Sequence, residues 1–196
     1  RFSGGDTARA AEQAARDVGA TFATISIEDA FAREAEAASA MLGGSELTEI
    51  TKQNIQARIR GQRMWNWANS SGALFLQTGN MSEKAVGYTT VGGDLEGALS
   101  VIANLPKTVV IALLERLGRR YGFAGIADTL GTVAGPELAA DQSGEAELMP
   151  FEILDACLYL HGAEKLGAME LPGALASMFP GVPEATLAAH ATKFVT

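Results

Sequence analysis

The stretch "GALFLQTGNMSEKAVGYTTVGGDLEGALSVIANLPKT" brings together groups able to handle phosphate and metal: the Thr78 hydroxyl, the Glu83 and Asp94 carboxylates and the Lys107 ammonium. The apolar run "ALFLQ" ends just before Thr78-Gly79-Asn80, and a helix begins near Ser82. That order places Thr78 and Glu83 at the carboxyl end of a strand, where open parallel sheets receive ligands. Lys107 follows Pro106 at a helix start, where the macrodipole disfavours a cation unless an anion is present to meet it. The pattern points to a phosphate ligand. Gly87, Gly92, Gly93 and Gly97 permit close backbone approach around Asp94. The same residues also have plainer readings: Glu83 as a first-turn partner of the helix dipole, Lys107 as a solvated surface cation and the glycines as ordinary loop chemistry.

These groups need a scaffold, and helical and strand-like patterns alternate along the chain. "DTARAAEQAARDVGA" reads as a helix stopped by Gly19, "TFATISI" as a strand, and "EDAFAREAEAASAML" as a helix stopped by Gly43-Gly44. "SELTEITKQNIQARIRGQRMWNWANSSG" reads as a long helix capped by Ser45, with Glu49 near its first turn. "PKTVVIALLERLGRRYG" has amphipathic spacing with Pro106 in its first turn, and the tail adds helices at about 151 to 163 and 170 to 178. Strands separated by helices predict an α/β fold with a parallel sheet covered on its faces, in which "ALFLQ" is a fully buried strand.

Composition bounds the partners. At 196 residues and 47% hydrophobic content the chain is large enough for one well-packed domain. A net charge of −8, with no long basic run to offset it, excludes a nucleic-acid surface built on phosphate neutralisation. An anionic ligand must then be met by local cations. The single Cys157 excludes an internal disulfide and suits a reducing cytoplasm, and no apolar run reaches bilayer length, so no membrane partner is expected. Cys157 and His161 lie four apart and share a helical face if that segment is helical, but two ligands do not make a zinc site. Trp65 and Trp67 cannot share one helix face, which predicts one in the core and the other at an interface or pocket edge.

The opening "SGGDT" is close to the Ser-Gly-Gly-x-Asp-Ser/Thr phosphate loop of the ATP pyrophosphatases. It lacks a preceding apolar strand and one residue between Gly5 and Asp6, so it reads as a turn in which Asp6 or Thr7 caps the next helix. The wider pattern is more informative. "NIQARIRGQRM", "LFLQTGNMSEKAVGY", "GGDLEGALSVI", "LPKT" and "GPELAADQSGEAELMPFEILDA", in this order, resemble the NAD synthetases of the N-type ATP pyrophosphatase family over roughly residues 1 to 160. The resemblance implies that residues 1–196 form part of a three-layer, parallel-sheet, adenine-nucleotide-hydrolase-like (Rossmann-like) synthetase domain. It further implies that the N-terminal part with the pyrophosphate loop precedes Arg1, leaving the chain alone unable to adenylate and its sheet edge open.

By the same resemblance Thr78 and Lys107 match ATP-binding residues, Glu83 a magnesium ligand and Arg58 a contact to the deamidated dinucleotide, while Asp94 lies in the dinucleotide-binding loop. Two positions depart from the pattern: Val91 stands where ammonia-using members carry a lysine, and Gly135 where an ATP-contacting Ser or Thr is common. The implied reaction is ATP- and magnesium-dependent amidation of nicotinic acid adenine dinucleotide to NAD through an acyl adenylate, releasing AMP and pyrophosphate, with Lys107 and Glu83 as catalytic groups. Ammonia arrives directly or from a glutaminase domain, and the assembly is a homodimer or larger homo-oligomer. Another amidotransferase synthetase of this type, or a non-catalytic nucleotide-binding or dimerising fragment, are the alternatives.

Overall fold

The computed structural model describes residues 4–139 and 142–196, so Ser3 of the "SGGDT" turn lies outside the described residues. Stop signals in the sequence set most helix ends. α1 (Gly5–Asp17) and α2 (Glu28–Met41) run into turns where Gly19, Gly43 and Gly44 take positive φ, a region that glycine enters without strain. Gly4 is the N-cap of α1, so Asp6 and Thr7 lie inside that helix rather than capping it.

α3 (Glu49–Ser71) starts later than the spacing suggests. Its cap is Thr48, whose hydroxyl accepts the Thr51 amide at 3.3 Å, and it closes at Gly72 with φ 69°. Ser45 donates instead to the Leu42 carbonyl at 2.9 Å. The reason is Leu47, which is buried with Ile27, Phe31, Ile55 and Ile59 between α2 and α3 and holds the connector out of the helix.

The sheet has two short parallel strands among the described residues, β1 (Leu76–Gln77) and β2 (Leu99–Ser100), with Leu76 opposite Leu99 and Gln77 opposite Ser100. Between them lies α4 (Met81–Ala85). Two expectations change here. "TFATISI" forms no strand: among the described residues it finds no ladder partner, Ile25 is 72% exposed, and only Ile27 reaches a core. "ALFLQ" is only partly a strand and is not fully buried, because Leu76 and Leu99 point to an open face at 47% and 55% exposure while Gln77 points inward.

The second half is helical. α5 (Lys107–Tyr121) has Pro106 as its N-cap rather than in its first turn, and is followed by α6 (Ala124–Leu130), α7 (Gly144–Glu147) and α8 (Phe151–Leu158). α8 passes into a π-helical turn (Tyr159–Ala163), then α9 (Leu171–Met178) and a further helix the periodicity did not indicate, α10 (Glu184–Val195). The main core packs Leu154, Cys157, Leu171, Leu175, Leu187 and Ala191 between α8, α9 and α10. α1 and α6 touch so closely that a Cβ on Gly125 would lie 2.2 Å from the Ala14 nitrogen. The result is a mostly helical α/β fold with a small parallel sheet. No helix among the described residues is long and apolar enough to cross a membrane.

Candidate functional site

A cavity of about 400 Å³ opens where β1 ends. α3 supplies one wall through Ala57, Arg60 and Gly61; Thr78 and Gly79, Glu83, the 93–96 loop, Lys107, the 134–138 loop and Phe151 supply the rest. Four of the residues singled out in the sequence, Thr78, Glu83, Asp94 and Lys107, therefore line one space.

Glu83 has two partners. Asn80 caps α4 through its side chain, which accepts the Glu83 amide at 3.1 Å, and Glu83 Oε2 accepts the Asn80 amide at 3.3 Å in return. That reciprocal pair is a capping box, so the plain dipole reading of Glu83 holds. Its other oxygen, Oε1, accepts from Lys107 Nζ at 3.1 Å. The two side chains are only 25% and 19% exposed, so the pair is shielded from most of the solvent screening that weakens surface ion pairs. Lys107 is thus not a solvated surface cation. Its ammonium also stands 5.2 Å from the centre of the Phe151 ring, within range of a cation–π contact.

The backbone of Lys107 is held from below. Its amide donates to Ser82 Oγ at 2.8 Å, the Ser82 hydroxyl donates to Asp155 Oδ1, and Asp155 Oδ2 accepts from the Thr108 amide at 2.9 Å and the Thr108 hydroxyl at 2.7 Å. Asp155 thereby sets a carboxylate on the Thr108 amide in the first turn of α5, the favourable sign at a helix N-terminus.

The glycine-rich loop is shaped by close contacts. Asp94 Oδ1 accepts the Thr90 amide at 2.7 Å, and Thr90 Oγ1 donates to Asn54 Oδ1 at 2.8 Å on α3. Gly93 lies against α3, and Gly97, with φ 151°, lies so close to β1 that a Cβ there would fall 2.6 Å from the Gln77 Cβ. Buried Gln77 ties the parts together: Nε2 donates to the Asp94 carbonyl at 2.8 Å, while Oε1 accepts from the Ser100 hydroxyl, which itself accepts from Lys84 Nζ at 2.6 Å.

Arg58 is placed apart from these residues. It is exposed, its Nε donates to the Val91 carbonyl at 3.1 Å, and it does not line the cavity. Arg60, two residues further along α3 and so on another face of it, does. Its guanidinium donates to the Pro136 and Glu137 carbonyls at 3.4 and 3.2 Å, and burial lowers its pKa, with nearby Glu137 acting in the opposite sense. The 134–138 loop is also pinned by Gln56, whose Nε2 donates to the Leu138 carbonyl at 2.8 Å. At the rim, Tyr88 donates to Glu147, and its pKa is raised by burial first and by that carboxylate second.

The two departures from the expected pattern have different settings. A Cβ on Gly135 would lie 2.4 Å from the Gln142 carbonyl, so the loop in this arrangement has no room for the Ser or Thr side chain. Val91 is exposed on the outer loop. Of the tryptophans, Trp65 donates to Glu96 Oε2 at 3.0 Å and meets Phe75 edge-on, whereas Trp67 is exposed. Cys157 is buried and His161 exposed, so they do not share an environment.

Among the described residues no group of three or more His, Cys, Asp or Glu side chains is placed to hold a metal. Glu83 offers a single carboxylate beside a cavity. That donor set fits a magnesium ion completed by phosphate oxygens and water, and does not fit an all-protein cage.

Arg60, Phe151 and Asp155 were not apparent as site residues in the sequence. The spacing of Phe151 and Asp155 in "FEILDA", one helical turn apart, was the available signal.

Comparison with known proteins gives the family and the fold. The family model for NAD synthase matches residues 2–171. The glutamine-dependent NAD(+) synthetase of Thermotoga maritima is 36% identical over 167 residues, covering 82% of this chain and 28% of the relative. The crystal structure of a glutamine-dependent NAD(+) synthetase from Cytophaga hutchinsonii superposes with a TM-score of 0.82 at 26% identity, covering 99% of this chain and 31% of that one. The glutamine-dependent NAD+ synthetase from Acinetobacter baumannii in complex with adenosine diphosphate gives a TM-score of 0.63 at 26% identity, over 100% of this chain and 32% of that one. The chain thus spans about three-tenths of the length of these relatives. With most of its length matched by one family model and its fold shared with solved members, the chain belongs to the NAD synthase family.

Proposed function

We propose that this chain carries the nucleotide-activating part of an ATP-dependent amidation of nicotinic acid adenine dinucleotide to NAD. A carboxylate is a poor electrophile, so amide formation needs a leaving group. The nicotinate oxygen attacks the α-phosphorus of ATP, the bond to the pyrophosphate oxygen breaks, and an acyl adenylate results. Ammonia then attacks the acyl carbon, AMP leaves with the bonding electrons, and the nitrogen loses a proton. Supplied free or from glutamine, the ammonia makes the same bond.

The observation that carries this reading is the Lys107–Glu83 pair at 3.1 Å inside the cavity, beside Thr78. In the absence of ligand each charge is neutralised by the other, which suits a chain of net charge −8. Phosphate oxygens draw the Lys107 ammonium toward the nucleotide, and the freed Glu83 oxygen then faces the same phosphates, where it would hold magnesium. Magnesium held there would supply neutralisation of the charge that builds on the departing pyrophosphate. Thr78 offers its hydroxyl to the nucleotide, and Asp94 orders the loop that meets the dinucleotide. Arg58, exposed on the outer side of that loop, is the proposed cation for the acid substrate. Catalysis of this kind is alignment of two anions plus stabilisation of charge.

The test is AMP and NAD formation from ATP and the deamidated dinucleotide, with ammonia or glutamine, by the protein that carries this chain. Lys107→Ala is expected to suppress AMP formation. ATP consumption that does not depend on the deamidated dinucleotide would reject the assignment of substrate.

A further inference from the structure

Lys107 is held at both ends by one helix. At its charged end the ammonium lies over the Phe151 ring at 5.2 Å; at its backbone end the amide reaches Asp155 through Ser82. Phe151 and Asp155 are one turn apart on α8, so they project from the same face. Asp155 also takes both donors of Thr108, at 2.9 and 2.7 Å. These three donors use both carboxylate oxygens, and Ser82 lies one residue before Glu83. A single carboxylate therefore locks the start of α4, which carries Glu83, to the start of α5, which carries Lys107.

We propose that Asp155 is a positioning residue that sets the Lys107 ammonium against Glu83 and aims it into the cavity before any anion arrives. An unsupported lysine side chain samples many rotamers, and fixing them in advance lowers the entropy lost when the ligand binds. The charge matters as well as the shape. An amide at position 155 presents one acceptor where two are needed, leaving either Ser82 or Thr108 without a partner of the right kind. That this ammonium meets a nucleotide phosphate rests on the function proposed above; that Asp155 positions it does not.

The experiment reads the two statements separately on the intact protein that carries this chain. The Lys107 ammonium signal is followed by ¹⁵N NMR without ligand, assigned by its loss in Lys107→Arg, and ADP binding is followed by calorimetry. Asp155→Asn is expected to keep the circular dichroism spectrum, to speed exchange of the Lys107 ammonium protons about tenfold, and to weaken ADP about tenfold, the loss of one charge-assisted hydrogen bond. Ser82→Ala is expected to move the ammonium signal in the same direction by a smaller amount, which also serves if Asp155→Asn does not fold. An ammonium signal unchanged in both Asp155→Asn and Ser82→Ala overturns the proposal, whatever their melting temperatures. If ADP fails to bind the unaltered protein while Asp155→Asn still releases the ammonium, the positioning role stands and the nucleotide reading falls.

Discussion

Gly93 sits directly against Ala57: a Cβ at Gly93 would lie 2.8 Å from the Ala57 Cβ and 2.9 Å from its carbonyl carbon. Here the glycine-rich loop touches α3 backbone to backbone, and the contact decides how far the loop stands from the cavity. Gly93→Ala is expected to destabilise the chain by about 1–3 kcal/mol through overpacking. It should also displace Asp94. Urea unfolding reads the first effect; an unchanged midpoint would show that loop and helix separate freely.

Glu83→Gln keeps an oxygen for the Asn80 amide and removes the charge facing Lys107. We expect the fold to survive and acyl adenylate formation in the intact enzyme to slow by an amount on the order of the several kcal/mol that a metal supplies. Single-turnover quenching would measure the adenylate directly. A rate equal to that of the unaltered enzyme removes Glu83 from the chemistry.

The two arginines of "ARIR" should separate. Arg58→Ala is expected to weaken the deamidated dinucleotide more than ADP, with little change in melting temperature because the side chain is exposed. Arg60→Ala loses both bonds to the 136–137 backbone and should lower stability by about 1–3 kcal/mol, as expected for a charged donor removed from partly buried acceptors. Calorimetry with each ligand distinguishes them; equal losses for both ligands in Arg58→Ala would contradict its assignment to the acid substrate.

Burial pushes the Cys157 thiol from 9.0 up to about 11. The folded chain therefore holds its proton to higher pH than the unfolded chain does. The associated stability is present in full below pH 9.0 and is lost as pH rises toward about 11. Unfolding midpoints across that window should fall more steeply in the unaltered chain than in Cys157→Ala, and iodoacetamide should label Cys157 only on unfolding. Parallel pH profiles would show that the thiol is not the group responsible.

How much of this was legible depends on the range of the interaction that decides each feature. Gly43-Gly44, Gly72 and Gly122 end helices through their own backbone, and their positions are plain in the sequence. Lys107 at a helix start was an electrostatic oddity with a local cause for suspicion, and Glu83 is the anion that meets it. Where the partner is remote, local pattern misleads. "TFATISI" has the composition of a strand, but a strand needs a neighbour, and among the described residues none pairs with it. β2 is two residues long and exists only because Gly97 lets its chain approach Gln77. Asp155 meets Ser82 across 73 positions and Arg60 meets Glu137 across 77, separations at which no periodicity carries information.

The amide of Gln77 has a further consequence. It spans from the Asp94 carbonyl to Ser100 and, through that hydroxyl, to Lys84, the residue after Glu83. Asp94 belongs to the loop assigned to the dinucleotide, and Glu83 to the helix assigned to ATP. Under the proposed function, ordering either loop or helix would remove freedom from the other and make the two ligands heterotropic partners. Their linkage must be reciprocal: whatever factor ADP adds to the affinity for the deamidated dinucleotide, the dinucleotide adds to that for ADP. Gln77→Leu should break the chain of bonds and bring that factor toward unity in both directions, so that each ligand binds as though the other were absent.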